Sequence, residues 1–320
     1  MHGLSRLRGP LLALLSITLV IAVVEGWARN RPLPRIQQVY DDGRSYLFDH
    51  DGDPYWVPKD PDMDHRNLDC VTADSRNAVL IGDSILYGSR VLRQRALAAQ
   101  LQARWREQPG AGQACIVNLS QPGYASQQQL ATARANLAAQ RPEVVFWEIW
   151  GNGPNRFERV GDAVYNFGTL APDGGVPSPF GVEAALNRTL FAHSGLYRRL
   201  VLGAALPVAP AAGVSQSSRW ADLVATDLTE ARALVEGLGA ELVLVYCPPL
   251  DRPLAETADR PLADFQPIRD WSTREGVRSI VLAEELRDHD VEAIRLDTCC
   301  HFNEHGLGLV ADALLPVLID

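Results

Sequence analysis

Two stretches of this chain hold residues that suit acyl transfer to and from a hydroxyl group. Ser84 follows Gly82 and Asp83 at the end of an apolar run, and Asp297 precedes His301 near the C-terminus. Acyl transfer of this kind needs a hydroxyl nucleophile, an imidazole that takes its proton, and a carboxylate that orients the imidazole. Ser84 is therefore a candidate nucleophile, and the later stretch supplies the other two groups.

Two further stretches supply hydrogen-bond donors for the negatively charged oxygen that acyl transfer creates. Pro122 and Gly123 predict a turn whose backbone N–H can point outward, and residues 151–155 hold two glycines with Asn152 and Asn155. Backbone N–H groups and asparagine amides are the donors of an oxyanion hole. The parts of an acyl-transfer site are thus present in four separate places.

The elements around these stretches predict that they meet at one edge of a sheet. Residues 78–81 are four consecutive apolar residues, typical of a strand covered on both faces, and Gly82 and Asp83 favour a turn that ends it. Strand-like and helix-like stretches then alternate, which predicts an α/β fold with a parallel sheet, whose carboxyl edge binds ligands. We predict strands over 78–81, 114–119, 143–150, 241–247 and 279–282, and helices over 90–107, 126–140, 182–202, 228–238, 264–275 and 303–318.

This ordered set of stretches resembles the SGNH hydrolases, also called GDSL esterases and lipases. The resemblance spans about residues 77–320 and implies a flavodoxin-like three-layer sandwich around a central parallel five-stranded sheet. The four matching blocks are Gly82-Asp83-Ser84, Gly123, Gly153-Pro154-Asn155, and Asp297 with His301.

The resemblance also implies roles for these residues. Ser84 would be the nucleophile, His301 the general base and Asp297 its orienting partner. The oxyanion hole would consist of the Ser84 and Gly123 N–H groups and the side chain of either Asn155, which spacing favours, or Asn152, which lies nearer the strand end.

The activity that the resemblance implies is that of a serine ester hydrolase without a cofactor. Its substrate would be a small-molecule, glycan or lipid ester, such as an O-acetyl group on an envelope carbohydrate. Two other activities stay open: an O-acyltransferase of the same fold, and a non-catalytic envelope module.

Two positions depart from the family pattern. Arg156 stands where the family has an aspartate, and Asp297 lies four residues before His301 instead of three. The loop must therefore bulge by one residue for the carboxylate to reach the ring. Both departures are what the non-catalytic alternative rests on.

Other assignments of the same residues fit less well. Cys299, Cys300, His301 and His305 hold metal-binding groups, but adjacent cysteines lack the spacing that brings both thiolates to one zinc ion, so we predict no metal. The nucleophile elbow of other α/β hydrolases needs glycine at the position of Leu86. The isolated histidines are expected at the surface; they are His50, His65, His193 and His289.

The N-terminal segment predicts export and membrane attachment. Arg6 and Arg8 precede residues 10–24, which contain no charge. This arrangement is typical of a membrane anchor or a cleaved export signal, and the absence of a clear cleavage site favours the anchor. We therefore predict a transmembrane signal anchor over 1–28 and a catalytic domain that is periplasmic or extracellular.

The rest of the chain is predicted to form a linker and one large domain. Residues 29–76 indicate a linker with a small hairpin, and residues 77–320 the hydrolase domain. The long connection over about 156–220 is predicted to be a lid-like insertion. The net charge of −9 argues against nucleic acid as a partner.

Five cysteines predict at least one thiol outside an intramolecular disulfide. Cys115 and Cys247 lie in apolar strand-like runs and are expected to be buried thiols. One of the adjacent Cys299 and Cys300 could pair with Cys70 or Cys247, and the sequence leaves the connectivity open.

Overall fold

The computed structural model describes residues 4–30, 65–151, 157–160, 163–166, 176–205, 216–260 and 265–320. These residues form two compact units. Residues 4–30 and 157–205 belong to the smaller unit, and residues 65–151 and 216–320 to the larger one. The smaller unit therefore joins the N-terminal segment to the segment that was predicted as an insertion. The predicted hairpin in the linker lies outside the described residues.

A five-stranded sheet forms the centre of the larger unit. Its strands are β1 (Ser75–Ile81), β2 (Gln113–Asn118), β3 (Val144–Ile149), β6 (Glu241–Tyr246) and β7 (Arg278–Val281). The strand order is β2-β1-β3-β6-β7, and every neighbouring pair is parallel. The predicted α/β fold with a parallel five-stranded sheet is thus confirmed.

The central strands are apolar along their whole length because both faces of the sheet are covered. In β1, Ala78 and Leu80 belong to the core on one face, whereas Val79 and Ile81 belong to the core on the other. All four side chains are fully buried. Alternate residues of a strand point to opposite faces, so a strand inside three layers needs apolar residues at every position.

Helices cover both faces of this sheet. Side chains of α3 and α12 contribute to the core on one face, and those of α4, α7 and α9 to the core on the other. The helices of the larger unit are α2 (Ser84–Tyr87), α3 (Leu97–Arg106), α4 (Ser126–Gln140), α7 (Gln216–Gly237), α8 (Leu254–Asp259), α9 (Gln266–Glu275), α10 (Leu282–Glu285), α11 (Val291–Ile294) and α12 (Glu304–Ile319).

Two of the predicted helix starts are wrong. The helix predicted from residue 90 begins at Leu97, because Arg90 has a left-handed backbone (φ 67°) and Leu92 and Ala96 are extended. The helix predicted from residue 228 begins at Gln216, so the larger unit resumes within the segment assigned to the insertion.

The strand order brings the end of β1 to a crevice in the carboxyl edge of the sheet. The chain passes from β1 to β2 on one side and continues to β3 on the other side of β1. Such a change of direction opens a crevice between the two loops that leave the sheet there. Ser84 follows β1 directly and therefore lies at this crevice.

Residues 65–71 are attached to β2 at the edge of the sheet. Cys70 is disulfide-bonded to Cys115, and the Asn118 N–H donates to the Arg66 carbonyl at 2.9 Å. Neither Cys299 nor Cys300 therefore pairs with Cys70, and the expectation of a free thiol at Cys115 is wrong. Cys247 is a buried free thiol, as expected.

The smaller unit contains three helices and an antiparallel hairpin. These are α1 (Leu4–Arg29), β4 (Phe157–Val160), β5 (Ala163–Asn166), α5 (Ala184–His193) and α6 (Gly195–Ala205). The prediction of a single helix over 182–202 is wrong, because the helix is interrupted at Ser194. The Ser194 hydroxyl accepts the Tyr197 N–H at 3.0 Å and so caps the second helix. Serine is a preferred residue at the start of a helix for this reason.

The last turn of α1 packs on the start of α6. The Glu25 carboxylate accepts hydrogen bonds from the Gly195 N–H at 2.6 Å, the Leu196 N–H at 3.0 Å and the Ser194 hydroxyl at 2.9 Å. Ala28 is buried, and its carbonyl accepts from Arg199 at 3.1 Å. A carboxylate at this place satisfies N–H groups that have no partner inside the helix.

The apolar side chains of α1 from Leu15 to Val24 are mostly exposed. Over the residues described, no helix combines the length and the apolar character that a membrane span requires.

Candidate active site

The turn after β1 presents Ser84 at the first position of α2. Asp83 precedes the helix, and its carboxylate accepts the Ile85 N–H at 2.9 Å. The Tyr87 N–H donates to the Asp83 carbonyl at 3.1 Å. The aspartate of the Gly-Asp-Ser sequence thus caps the short helix, and Ser84 remains partly exposed.

Ser84, His301 and Asp297 form one hydrogen-bonded chain. The Ser84 Oγ lies 2.8 Å from the Nε2 of His301, and the His301 Nδ1 lies 2.7 Å from the Oδ2 of Asp297. When Nδ1–H donates to the carboxylate, Nε2 presents its lone pair to the serine hydroxyl. The structure therefore brings together the three side chains that the sequence singled out. Ser84 and His301 are 217 residues apart along the chain.

The loop from Asp297 to His301 accommodates the extra residue as a tight turn around the carboxylate. The Asp297 Oδ1 accepts the N–H groups of Cys299, Cys300 and His301 at 3.1, 3.2 and 3.3 Å. The Leu296 N–H donates to the His301 carbonyl at 2.7 Å, which closes the loop. The bulge expected from the four-residue spacing is thus present, and it leaves Oδ2 free to meet the ring.

The hydrogen bonds around Asp297 favour its ionised form. Burial alone would raise the pKa of this carboxyl, but the His301 ring and the three N–H groups outweigh burial and lower the pKa to about 2. Arg90 adds a positive charge 3.4 Å from Oδ2. Asp297 is therefore a carboxylate throughout the neutral range.

A disulfide between neighbouring residues lies inside this loop. Cys299 and Cys300 are bonded to each other, with Cys299 exposed and Cys300 buried. Both N–H groups of the pair are held by Asp297, and the Cys299 carbonyl accepts from Leu250 at 2.9 Å. The pair therefore occupies the place where this chain has one residue more than the family pattern.

Reduction of this disulfide is expected to lower ester hydrolysis about tenfold, because the Asp297 turn loses a constraint that sets the carboxylate on His301. A dithiol reductant would break the bond, leave two thiols and become a disulfide itself. The measurement is kcat for nitrophenyl acetate before and after treatment with dithiothreitol. A Cys299→Ser/Cys300→Ser variant is the control and should not respond to the reductant; an unchanged wild-type rate would contradict the prediction.

The loop after β2 brings Gly123 to the same crevice. The Gln121 N–H donates to the Gly82 carbonyl at 3.1 Å, and the Tyr124 N–H donates to the Gln121 carbonyl at 3.2 Å. Gly123 has φ 81°, the left-handed value that this position of a Pro-Gly turn requires. Among the described residues, no acceptor takes the N–H of Ser84 or Gly123, so both are available to a substrate oxygen. Asn152 and Asn155 lie outside the described residues.

Two buried side chains that the sequence analysis did not single out support the nucleophile turn. Glu148 of β3 accepts the Asp83 N–H at 2.9 Å and the Leu86 N–H at 3.1 Å. His65 is buried rather than exposed as expected: its Nδ1 lies 2.6 Å from the Tyr87 carbonyl oxygen, and its ring stacks on that of Tyr87. The signal for Glu148 was a lone carboxylate in an otherwise apolar strand.

Among the described residues, no group of three or more His, Cys, Asp or Glu side chains is placed to hold a metal ion. Cys299 and Cys300 are bonded to each other, so neither offers a thiolate to zinc.

A serine, a histidine and an aspartate bonded in series at the carboxyl edge of a parallel sheet constitute the arrangement of a serine hydrolase. Structure comparison finds that the chain is similar to lipolytic proteins of the G-D-S-L family. No protein-family model matches the chain, and no curated protein is similar to it in sequence.

Three of the similar solved structures illustrate the likeness, which is one of fold. A member of the lipolytic G-D-S-L family from Veillonella parvula DSM 2008 is 14% identical, with 76% of this chain and 98% of that chain covered and a TM-score of 0.42. TesA is 16% identical, with 76% and 98% covered and a TM-score of 0.45. The acetyl xylan esterase AlAXEase is 11% identical, with 75% and 98% covered and a TM-score of 0.45.

Proposed function

We propose that this chain is a serine ester hydrolase in which Ser84 is the nucleophile, His301 the general base and Asp297 its orienting partner. The observation that carries the proposal is the series of hydrogen bonds from Ser84 Oγ to His301 Nε2 at 2.8 Å and from His301 Nδ1 to Asp297 at 2.7 Å. These lengths are those of a nucleophile and base ready for proton transfer.

In the first half of the reaction, the Ser84 oxygen attacks the ester carbonyl carbon while His301 Nε2 takes the hydroxyl proton. The resulting oxyanion accepts hydrogen bonds from the Ser84 and Gly123 N–H groups, with an asparagine amide of residues 152–155 as the expected third donor. The bond to the leaving oxygen then breaks, and His301 gives its proton to the departing alcohol. Asp297 stabilises the charged ring during this exchange.

In the second half, His301 takes a proton from water as the water oxygen attacks the acyl group on Ser84. The bond between Ser84 and the acyl carbon breaks, the serine oxygen regains the proton from His301, and a carboxylic acid leaves. An O-acyltransferase would use an acceptor hydroxyl in place of this water. The two activities thus differ only in the second step.

The substrate that we propose is an ester or O-acetyl group of an envelope carbohydrate or lipid, reached by a catalytic unit on the outer side of a membrane. Support comes from the charge-free residues 10–24, the arginines that precede them, and the exposure of the apolar side chains of α1. Membrane attachment through this helix is part of the proposal.

The test uses the full chain, purified in detergent, with a nitrophenyl acetate assay and a fluorophosphonate probe. We expect wild type to release nitrophenol and to bind the probe, and Ser84→Ala to do neither. Ser89→Ala, which removes a hydroxyl at the other end of the same turn, is the matched control and should behave as wild type. If wild type and Ser84→Ala are equally inert in both assays, the proposed activity is wrong. Acetyl transfer to an added oligosaccharide would indicate the acyltransferase instead.

A further inference from the structure

Glu148 is a carboxyl group in the interior of the larger unit. It lies on β3 between two paired strands, and only 2% of its surface is exposed. A buried carboxyl is costly unless hydrogen bonds compensate for the lost water. The groups that compensate belong to the turn that carries Ser84.

Each backbone N–H group next to Ser84 in the turn has an acceptor, and Glu148 provides two of these acceptor contacts. The carboxyl of Glu148 accepts the Asp83 and Leu86 N–H groups, on either side of the serine. The Ile85 N–H donates to the Asp83 side chain, and the Tyr87 N–H donates to the Asp83 carbonyl. From residue 83 to residue 87, Ser84 alone keeps an N–H that no described group accepts.

The Glu148 carboxyl also faces the Asp83 carboxyl. Burial raises the pKa of Glu148 well above its ordinary value, and the charge of Asp83 and a hydrogen bond between the two side chains raise it further. Cys247 is the third titratable group in this place, and burial, with both carboxyls nearby, raises the pKa of its thiol as well.

We propose that Glu148 is a positioning residue for the ester hydrolysis proposed above. Its carboxyl group holds the turn through Asp83 and Leu86, so that the Ser84 N–H is left for the substrate oxygen and the Ser84 hydroxyl stays on His301. Because this N–H acts on the oxyanion rather than on the bound ester, the loss of Glu148 should affect kcat far more than KM.

Two variants of the full chain distinguish a role of Glu148 in positioning the turn from a role in folding. Glu148→Gln keeps an oxygen for the two N–H groups and replaces the ionisable carboxyl by an amide of the same size, so we expect kcat within about threefold of wild type and an unchanged pH profile. Glu148→Met has similar length but no polar atoms, and we expect kcat about 10²-fold lower with KM within about threefold. Phe146→Leu, a buried substitution on the same face of β3, is the control for a general loss of stability and should leave kcat near wild type.

The results that would overturn the proposal are distinct from those that would overturn the activity. Wild-type kcat in Glu148→Met, or an equal loss in Glu148→Gln and Glu148→Met, would show that Glu148 does not position the turn. If Glu148→Met does not fold, Glu148→Asp replaces it; the carboxyl group is then one methylene shorter, kcat should fall about tenfold, and wild-type kcat would again overturn the proposal. Absence of hydrolysis and of probe labelling in wild type would count against the esterase activity itself.

Discussion

Replacement of His301 by alanine is expected to lower kcat/KM for a nitrophenyl ester by about 10⁴-fold, because Ser84 then lacks the base that lies 2.8 Å from its hydroxyl. The Ser84→Ala/His301→Ala double variant should be no less active than either single variant, since the two groups act together in one proton transfer. Steady-state kinetics of the three variants provide the measurement.

The matched control for this prediction is His305→Ala. His305 lies four residues further on, exposed in the first turn of α12, and is expected to be dispensable. A His301→Ala variant that keeps more than a tenth of wild-type activity would contradict the assignment of the base. Equal losses in the two histidine variants would point to damage to the fold near α12 instead.

Gly82→Ala is expected to prevent folding of the nucleophile turn and to abolish activity. A Cβ at residue 82 would lie 2.7 Å from the Cβ of Glu148 and nearer still to its carboxyl oxygen. Gly82 directly follows Ile81, the last β1 residue that pairs with β3. Overpacking of this kind costs about 1–3 kcal/mol or more of unfolding free energy. The measurement is the thermal unfolding midpoint together with fluorophosphonate labelling.

Gly237→Ala gives the comparison for this substitution. Gly237 ends α7, and a Cβ there would meet nothing within 4 Å, so this variant should be as stable as wild type or slightly more stable. If Gly82→Ala unfolds at the wild-type temperature and reacts with the probe at the wild-type rate, the close approach of Gly82 to Glu148 does not limit the stability of the turn.

The sheet could be predicted from the sequence because each central strand is a short, nearly continuous apolar run. β1, β2, β3 and β6 were each placed within three residues of their observed bounds. Helix bounds in the less regular parts were harder to predict. The helical patterns are interrupted around Arg90 and at Ser194, and nothing in the periodicity of the apolar residues indicates these interruptions.

The catalytic candidates could be predicted because each stands where a strand ends or the last helix begins. Ser84 and Gly123 follow β1 and β2, and Asp297 and His301 precede α12. The conformation of the loop that brings the Asp297 carboxylate to the His301 ring could not be predicted. It depends on three backbone N–H groups that donate to one carboxylate oxygen. Spacing alone indicated that a bulge was needed, not how it forms.

The supporting residues were missed for a different reason. Glu148 and His65 act on backbone atoms of the turn. Glu148 stands out in the sequence as a carboxylate in an apolar strand, but no motif indicates which atoms either residue contacts. His65 precedes the first strand and meets Tyr87 only in the folded chain. A buried polar residue is found by its partners, and these become known only with the coordinates.

The carboxylate of Glu25 has a consequence for any shortened form of the protein. It accepts hydrogen bonds from three donor groups at the start of α6, so removal of residues 4–30 would leave that helix without its cap. A shortened form of the protein should therefore keep Glu25 and the residues that follow it, although most of the preceding part of α1 can then be removed.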